Sequence, residues 1–204
     1  MKVKICGMTQ REDVEAAIQY GADAVGFNLY NGSPRYVGPD VLPALVEDLP
    51  PLVLKVAVVV NFSLIDIQRL DEMLNFDVWQ LHGDERADLC HWLKPRRLIK
   101  SFGLPFNGNP PELAEYDVEA FLLDRFSEQY GGTGKTFDWS LAMDFQQKTD
   151  RPIILSGGLN LDNVAKAVEI VKPYGVDICT GVEASPGKKD RAKMKDFIQL
   201  CHSL

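Results

Sequence analysis

The chain has 204 residues and a formal net charge of -7, with 22 Lys and Arg against 29 Asp and Glu. That length allows one good-sized core. The acidic balance excludes a general phosphate-backbone binder, because such affinity rests on many cations, so no nucleic-acid partner is expected and local groups must hold any anionic ligand. No apolar run reaches the ~20 residues of a membrane helix, and Met1-Lys-Val-Lys-Ile5 reads as a strand rather than a secretory leader. The four cysteines at 6, 90, 179 and 201 form no C-x-x-C pair, so a zinc ribbon and a thioredoxin motif are both excluded. A reduced, cytoplasmic protein is expected.

Short β-rich runs recur at intervals of roughly 25 residues, each followed by helical spacing, which is the pattern of parallel strands joined by helical crossovers. Val3–Cys6 is the first, followed by a helix over Gln10–Tyr20 with Val14, Ala17 and Ile18 on one face. Ala24–Leu29 and Leu54–Val60 come next, then a helix over Leu64–Leu74. The strands Val78–Leu81, Leu98–Phe102 and Ala120–Asp124 follow. Between the last two, Pro105 to Glu119 carries three prolines and Asn107-Gly-Asn109, which predicts a degraded element instead of a helix. Asp138 is placed to cap a helix over Trp139–Phe145. Ile153–Ser156, a helix over Leu161–Val171 opened by Asn160, and Asp177–Thr180 complete the chain. Eight strand–helix units in this length predict an α/β fold, a closed (β/α)₈ TIM barrel spanning 1–204 as one domain. A doubly wound open sheet is the structural alternative.

In such a barrel the residues at the carboxyl ends of the strands converge on one mouth. Here they are Cys6, Arg35 in the loop after the second strand, Asn61, His82, Asp124, Gly157-Gly158 and Gly181. One thiol, one guanidinium, one acid and glycine pivots suit proton transfer on an anionic substrate. Ser156-Gly-Gly-Leu-Asn160 and Thr180-Gly-Val-Glu-Ala184 follow the last two strands, where barrels hold phosphate on backbone amides. As plain tight turns they would need glycine only for positive φ. Cys6 serves as a general base if positive potential lowers its pKa, and otherwise is a small packing residue. Asp124 ends the apolar run Phe121-Leu-Leu, surroundings that favour a protonated acid; capping a helix or pairing with Arg125 is the other reading. Arg35 offers a planar fork for a carboxylate, against the commoner fate of a solvated surface arginine. His82 has no clustered histidine partners, so no metal is expected. Asp177 points into the barrel or holds a structural hydrogen bond.

The stretch Tyr130-Gly-Gly-Thr-Gly-Lys-Thr136 looks like a nucleotide phosphate loop, but the first glycine of that motif is replaced by Gln129. It reads instead as a glycine-rich loop after the sixth strand.

Lys4-Ile-Cys-Gly-Met-Thr9, Gly21-Ala-Asp-Ala-Val-Gly-Phe27 with Ser33-Pro-Arg35, Gln80-Leu-His-Gly-Asp-Glu85, Gly131-Gly-Thr-Gly-Lys-Thr-Phe-Asp-Trp139, Gly157-Gly-Leu159 and Gly181-Val-Glu183 with Ser185-Pro-Gly-Lys-Lys-Asp190 together resemble the phosphoribosylanthranilate isomerases of tryptophan biosynthesis. The resemblance spans essentially the whole chain in the family's order. It implies a TIM barrel that performs an Amadori rearrangement on a small phosphosugar without a cofactor or metal, as a monomer or homodimer. It also implies Cys6 as general base and Asp124 as general acid, Arg35 on the substrate carboxylate, the glycines 157, 158 and 181 on its phosphate, and His82 and Asp177 as further substrate contacts. The isomerase of histidine biosynthesis is the nearest rival, and it relies on two aspartates. A phosphate-binding barrel without catalysis would need neither Cys6 nor Asp124. Asn28, Leu29, Tyr30, Val59, Ser156 and the pair Cys179-Thr180 depart from the family's usual residues.

Overall fold

The computed structural model describes residues 1–128, 130, 132 and 134–204; Gln129, Gly131 and Thr133 of the glycine-rich loop lie outside the described residues. Eight strands close into a parallel barrel in chain order: β1 (Lys2–Ile5), β2 (Ala24–Asn28), β3 (Leu54–Val59), β4 (Val78–Leu81), β5 (Leu98–Leu104), β6 (Ala120–Arg125), β7 (Ile153–Leu155) and β8 (Gly175–Ile178). Closure comes from β1 and β8, which pair Lys2 with Gly175, Lys4 with Asp177 and Ile5 with Ile178. This excludes the open sheet. The last strand begins two residues earlier than the sequence predicts, because Gly175 is needed in register against both Lys2 and Ile154.

Period-two alternation divides each strand between two environments. Val3, Ile5, Trp79, Leu81, Phe121, Leu123, Val176 and Ile178 pack outward under the helices, in the main core. Cys6, Ala24, Val56, Val58, Val78, Ile99, Ala120 and Leu122 form a second cluster inside the barrel. The same alternation turns Lys4, Gln80, Asp124 and Asp177 inward.

The helices are α1 (Arg11–Tyr20), α2 (Leu42–Val46), α3 (Leu64–Leu74), α4 (Ala87–Trp92), α5 (Ser140–Gln146), α6 (Val164–Val171) and α7 (Arg191–Ser203). The bounds of α3 match the expectation because Ser63 and Asp66 make a reciprocal capping box. In α5 the start moves to Ser140, whose amide donates to Asp138, so Asp138 acts one residue ahead of the cap position. Helix α6 starts three residues late. Asn160 accepts from the amides of Asp162 and Asn163, a local turn that delays the helix until Val164. Among the described residues no helix is long and apolar enough to cross a membrane.

Between β5 and β6 stands only a single 3₁₀ turn, Leu113–Glu115. Rings take over the covering role there: Phe102 lies 5.4 Å from Tyr116, 6.0 Å from Phe106 and 5.7 Å from Phe121, and Phe121 lies 5.5 Å from Phe145. Such pairs add about 0.5–1.5 kcal/mol each beyond their buried area. Phe121→Ala is therefore expected to lower the unfolding free energy by about 3–5 kcal/mol, seen as a lower urea midpoint at unchanged slope. A loss below about 1 kcal/mol would mean that the rings do not replace the helix.

Candidate active site

The strand ends surround a cavity of about 460 Å³ lined by Cys6, Arg35, Gln80, His82, Asp124 and Asp177 among others. A second lobe of about 280 Å³ adjoins it on the β4–β6 side and shares His82, Asp124 and Tyr130. Cys6 and Asp124 thus face one space from β1 and β6, on opposite arcs of the barrel.

Asp124 is not in the apolar surroundings that its sequence neighbours suggest, because Phe121 and Leu123 point outward while its own side chain points in. One carboxylate oxygen accepts from the amide of Arg125 at 2.6 Å, and the other lies 3.5 Å from Nε2 of His82. Behind His82, Gln80 Nε2 sits 2.9 Å from Nδ1. Gln80 Oε1 is buried and has no hydrogen-bond partner among the described residues.

Arg35 is not a solvated surface residue. It is 7% exposed, and Nε and Nη2 donate to the two carboxylate oxygens of Glu183 at 2.8 and 2.7 Å. This leaves the Nη1 edge for a ligand. Glu183 begins a short hairpin, β9 (Glu183–Ser185) and β10 (Lys188–Lys189), which directs Lys189 beneath the site. Lys189 Nζ donates to the carbonyl of Cys6 at 2.6 Å and to Glu183 at 3.2 Å. Asp177 is also engaged: Lys4 Nζ lies 2.7 Å away and Ser156 Oγ donates at 3.3 Å. Asn61, the remaining residue predicted at the mouth, holds loops, accepting from the Asp84 amide at 2.7 Å and donating to Tyr130 at 3.2 Å.

Gly157 and Gly158 adopt φ of +84° and +66°, so the requirement of a tight turn is real. Gly158 also lies directly against the Lys135 carbonyl, and Gly181, whose φ is not positive, against the Leu159 carbonyl. A Cβ at either position would collide with backbone. A cleft of about 30 Å³ lies here, lined by Gly157, Gly158, Thr180, Gly132 and Gly134 among others.

The family model for N-(5'-phosphoribosyl)anthranilate isomerase matches residues 3–200. The chain belongs to this family. The N-(5'-phosphoribosyl)anthranilate isomerase of Pelobacter propionicus is 42% identical over 98% of this chain and 95% of its own length. The solved phosphoribosyl anthranilate isomerase of Thermus thermophilus aligns at a TM-score of 0.90 with 33% identity, covering 100% of this chain and 99% of that one. Another isomerase structure, in complex with reduced 1-(o-carboxyphenylamino)-1-deoxyribulose 5-phosphate, aligns at 0.84 with 34% identity over 100% of both chains.

For an isomerase site the electrostatics hold one surprise. Burial raises the Cys6 thiol above its ordinary value; Lys4 and Lys189 pull it down but do not overcome that, and Asp177 adds to the rise. From sequence, the base role of Cys6 is conditional on positive potential lowering its pKa; in the ligand-free site desolvation is the largest effect and the net direction is upward. Cys179, lining the same cavity, is pushed up to about 12 by burial. Glu183 goes the other way. Burial works to raise it, but the hydrogen bond from Arg35 and the charge of Lys189 hold it below the usual carboxylate range.

Reading strand ends alone missed Lys4, Gln80, Glu183 and Lys189. Lys4 and Gln80 stand two residues before Cys6 and His82, so the inward period was the available signal. Glu183 and Lys189 depend on the hairpin, for which Pro186-Gly187 was the clue.

Because Glu183 is depressed in the folded protein, its stabilising effect is present above the ordinary carboxylate value of about 4.3 and is lost as pH falls through its lower folded value. Glu183→Gln leaves Arg35 and Lys189 buried without their carboxylate, at a cost of about 3–5 kcal/mol at pH 7. Melting curves from pH 7 to 3 should show this gap shrinking below pH 4.5. A gap that stays constant would remove Glu183 from the acid limb of stability.

Proposed function

We propose that in this isomerase of tryptophan biosynthesis Asp124 is the general acid and Cys6 the general base of the Amadori rearrangement. The observation that carries it is that the two side chains face one cavity from opposite arcs, Cys6 from the β1 end and Asp124 from the β6 end. The substrate is N-(5-phosphoribosyl)anthranilate. Asp124 gives its proton to the ribose ring oxygen, the C1–O bond breaks, and the nitrogen lone pair forms a C1=N iminium. That cation acidifies the C2 proton, which passes to the Cys6 thiolate while the C2–H electrons move toward nitrogen. The resulting enolamine tautomerises to 1-(2-carboxyphenylamino)-1-deoxyribulose 5-phosphate. The substrate's nitrogen is its own electron sink, so no cofactor takes part.

Arg35 offers its Nη1 edge to the anthranilate carboxylate, and the turns at Gly157, Gly158 and Gly181 take the phosphate. His82 and Asp177 line the same cavity and face the sugar. With burial raising the thiol, the thiolate that acts as base forms in the free enzyme by loss of the Cys6 proton to solvent as pH rises. The histidine-pathway rearrangement is disfavoured because a thiol, not a second aspartate, lies opposite Asp124. All four cysteines are free, which suits a reducing cytoplasm, and we take residues 1–204 as one domain.

Turnover is followed as the decay of the substrate's anthranilate fluorescence, with substrate generated in place. Cys6→Ala and Asp124→Asn are each expected to lower kcat by about 10²–10⁴-fold with the fold retained. Wild-type kcat/KM should climb with pH toward a limb above the ordinary cysteine value of about 8.5. Full activity in either variant would remove that residue from the chemistry.

A further inference from the structure

The inside of the barrel directly below Cys6 carries a charge that the reaction scheme has not used. Lys4 lies two residues before Cys6 on the inward face of β1, and its side chain is 5% exposed. Its ammonium is held at 2.7 Å by Asp177, whose own side chain is 6% exposed. Gly26 on β2 leaves room for this arrangement. A Cβ there would stand 2.9 Å from Cys6 Sγ and 3.0 Å from Lys4 Nζ, so thiol and ammonium occupy one small space that any side chain at 26 would invade.

A buried lysine is costly, and a structural core could be built with an apolar pair at these positions. We propose that Lys4 is a positioning residue for the base: its ammonium, anchored by Asp177 and admitted by Gly26, stabilises the Cys6 thiolate while the C2 proton is removed. This rests on Cys6 being the base. Asp177 has two effects, since it keeps Lys4 charged and in place while its own negative charge works against the thiolate. Cys6 Sγ and Lys4 Nζ both border the small space left by Gly26, while Asp177 is held between Lys4 and Ser156.

Other groups face Cys6 as well. Lys189 approaches from the hairpin but gives its closest hydrogen bond to the Cys6 carbonyl rather than the sulfur. Arg35 is saturated on one edge by Glu183, and Cys179 stays a neutral thiol at ordinary pH. Across the cavity stand His82, Asp124 and Glu128. Lys4 is the inward cation on the strand of Cys6 itself. The thiol and the ammonium act on each other as expected: Lys4 remains charged despite burial, first through Asp177 and then through Cys6.

The test reads the thiol directly. Iodoacetamide labelling of Cys6 is timed from pH 6.5 to 10, with the modified peptide identified by mass spectrometry so that Cys90, Cys179 and Cys201 do not confuse the signal. Two variants remove Lys4, Lys4→Met and the doubly neutral Lys4→Met/Asp177→Asn, because the single change leaves Asp177 buried alone and can fail to fold. Lys4→Met is compared with wild type and the double variant with Asp177→Asn, because Lys4 and Asp177 act on the thiol in opposite directions. In each comparison loss of Lys4 is expected to slow Cys6 labelling at pH 8 about tenfold and to raise its pH midpoint, with kcat falling. If the double variant folds and labels no more slowly than Asp177→Asn, Lys4 is only a structural partner of Asp177 and the proposal is overturned. Failure of both variants to fold would also overturn it, since the pair would then be indispensable to the barrel rather than to the thiolate. The outcome is separate from the role of Cys6 as base, which Cys6→Ala decides by turnover.

Discussion

The closing of β1 onto β8 governs everything at the mouth. Its register sets Lys4 opposite Asp177 and Ile5 opposite Ile178, so the next residue on each strand, Cys6 and Cys179, stands just past the barrel rim. A shift of one residue would turn Lys4 into the helix layer and Ile5 into the barrel, which the burial of both forbids. The buried ion pair is therefore a register device as well as a source of field. An apolar pair could give equal or greater stability, but it would not reject the slipped pairing so strongly.

Charge inside this barrel is always answered by charge. Lys4 meets Asp177, Arg35 and Lys189 share Glu183, and Lys100 meets Glu85 at 2.9 Å with both side chains at or below 2% exposure. Each pair ties a strand to a neighbouring strand or loop. Lys100 also donates to the Gly83 carbonyl at 2.7 Å, and Glu85 accepts from the Asn61 amide at 2.8 Å, so β5 supports the loops carrying His82 and Asn61. Loops are normally the mobile part of a barrel. Here they are pinned from beneath by groups that cannot be removed singly without stranding a charge.

Much of this was legible in the sequence. The eight strands could be read from β-rich runs and spacing because parallel strands buried on both faces are short, apolar and regularly separated. Helix α3 was readable to the residue since its cap is local. What escaped was non-local: Asn160 competes with its own helix through a turn, and Gly175 joins β8 only because Lys2 and Ile154 flank it. At the site, Cys6, Arg35, His82 and Asp124 were expected at the mouth and line one cavity, and Asp177, read at the start of the last strand, lines it too. Their partners were not found, because Glu183 lies 148 positions from Arg35 and Asp177 lies 173 from Lys4. Composition and spacing carry no record of such pairings. The apolar neighbours of Asp124 misled for a related reason, as residues adjacent in a strand point to opposite faces.

The direction of the Cys6 shift says something about the order of the chemistry. A thiol kept neutral by burial is a poor base toward an ordinary carbon acid, and it is also a poor target for oxidants and electrophiles in the cell. Ring opening comes first and needs only the acid. In the proposed scheme it places an iminium cation next to the carbon whose proton Cys6 would take, adding a positive charge to those of Lys4 and Lys189. Basicity is then demanded at the moment when the acidity of the C2 proton is greatest and the thiolate is best stabilised. Under the proposed roles Lys4 and Asp177 act on the sulfur in opposite directions, the lysine favouring the thiolate and the aspartate the thiol, so the two are read as one unit with the base they flank.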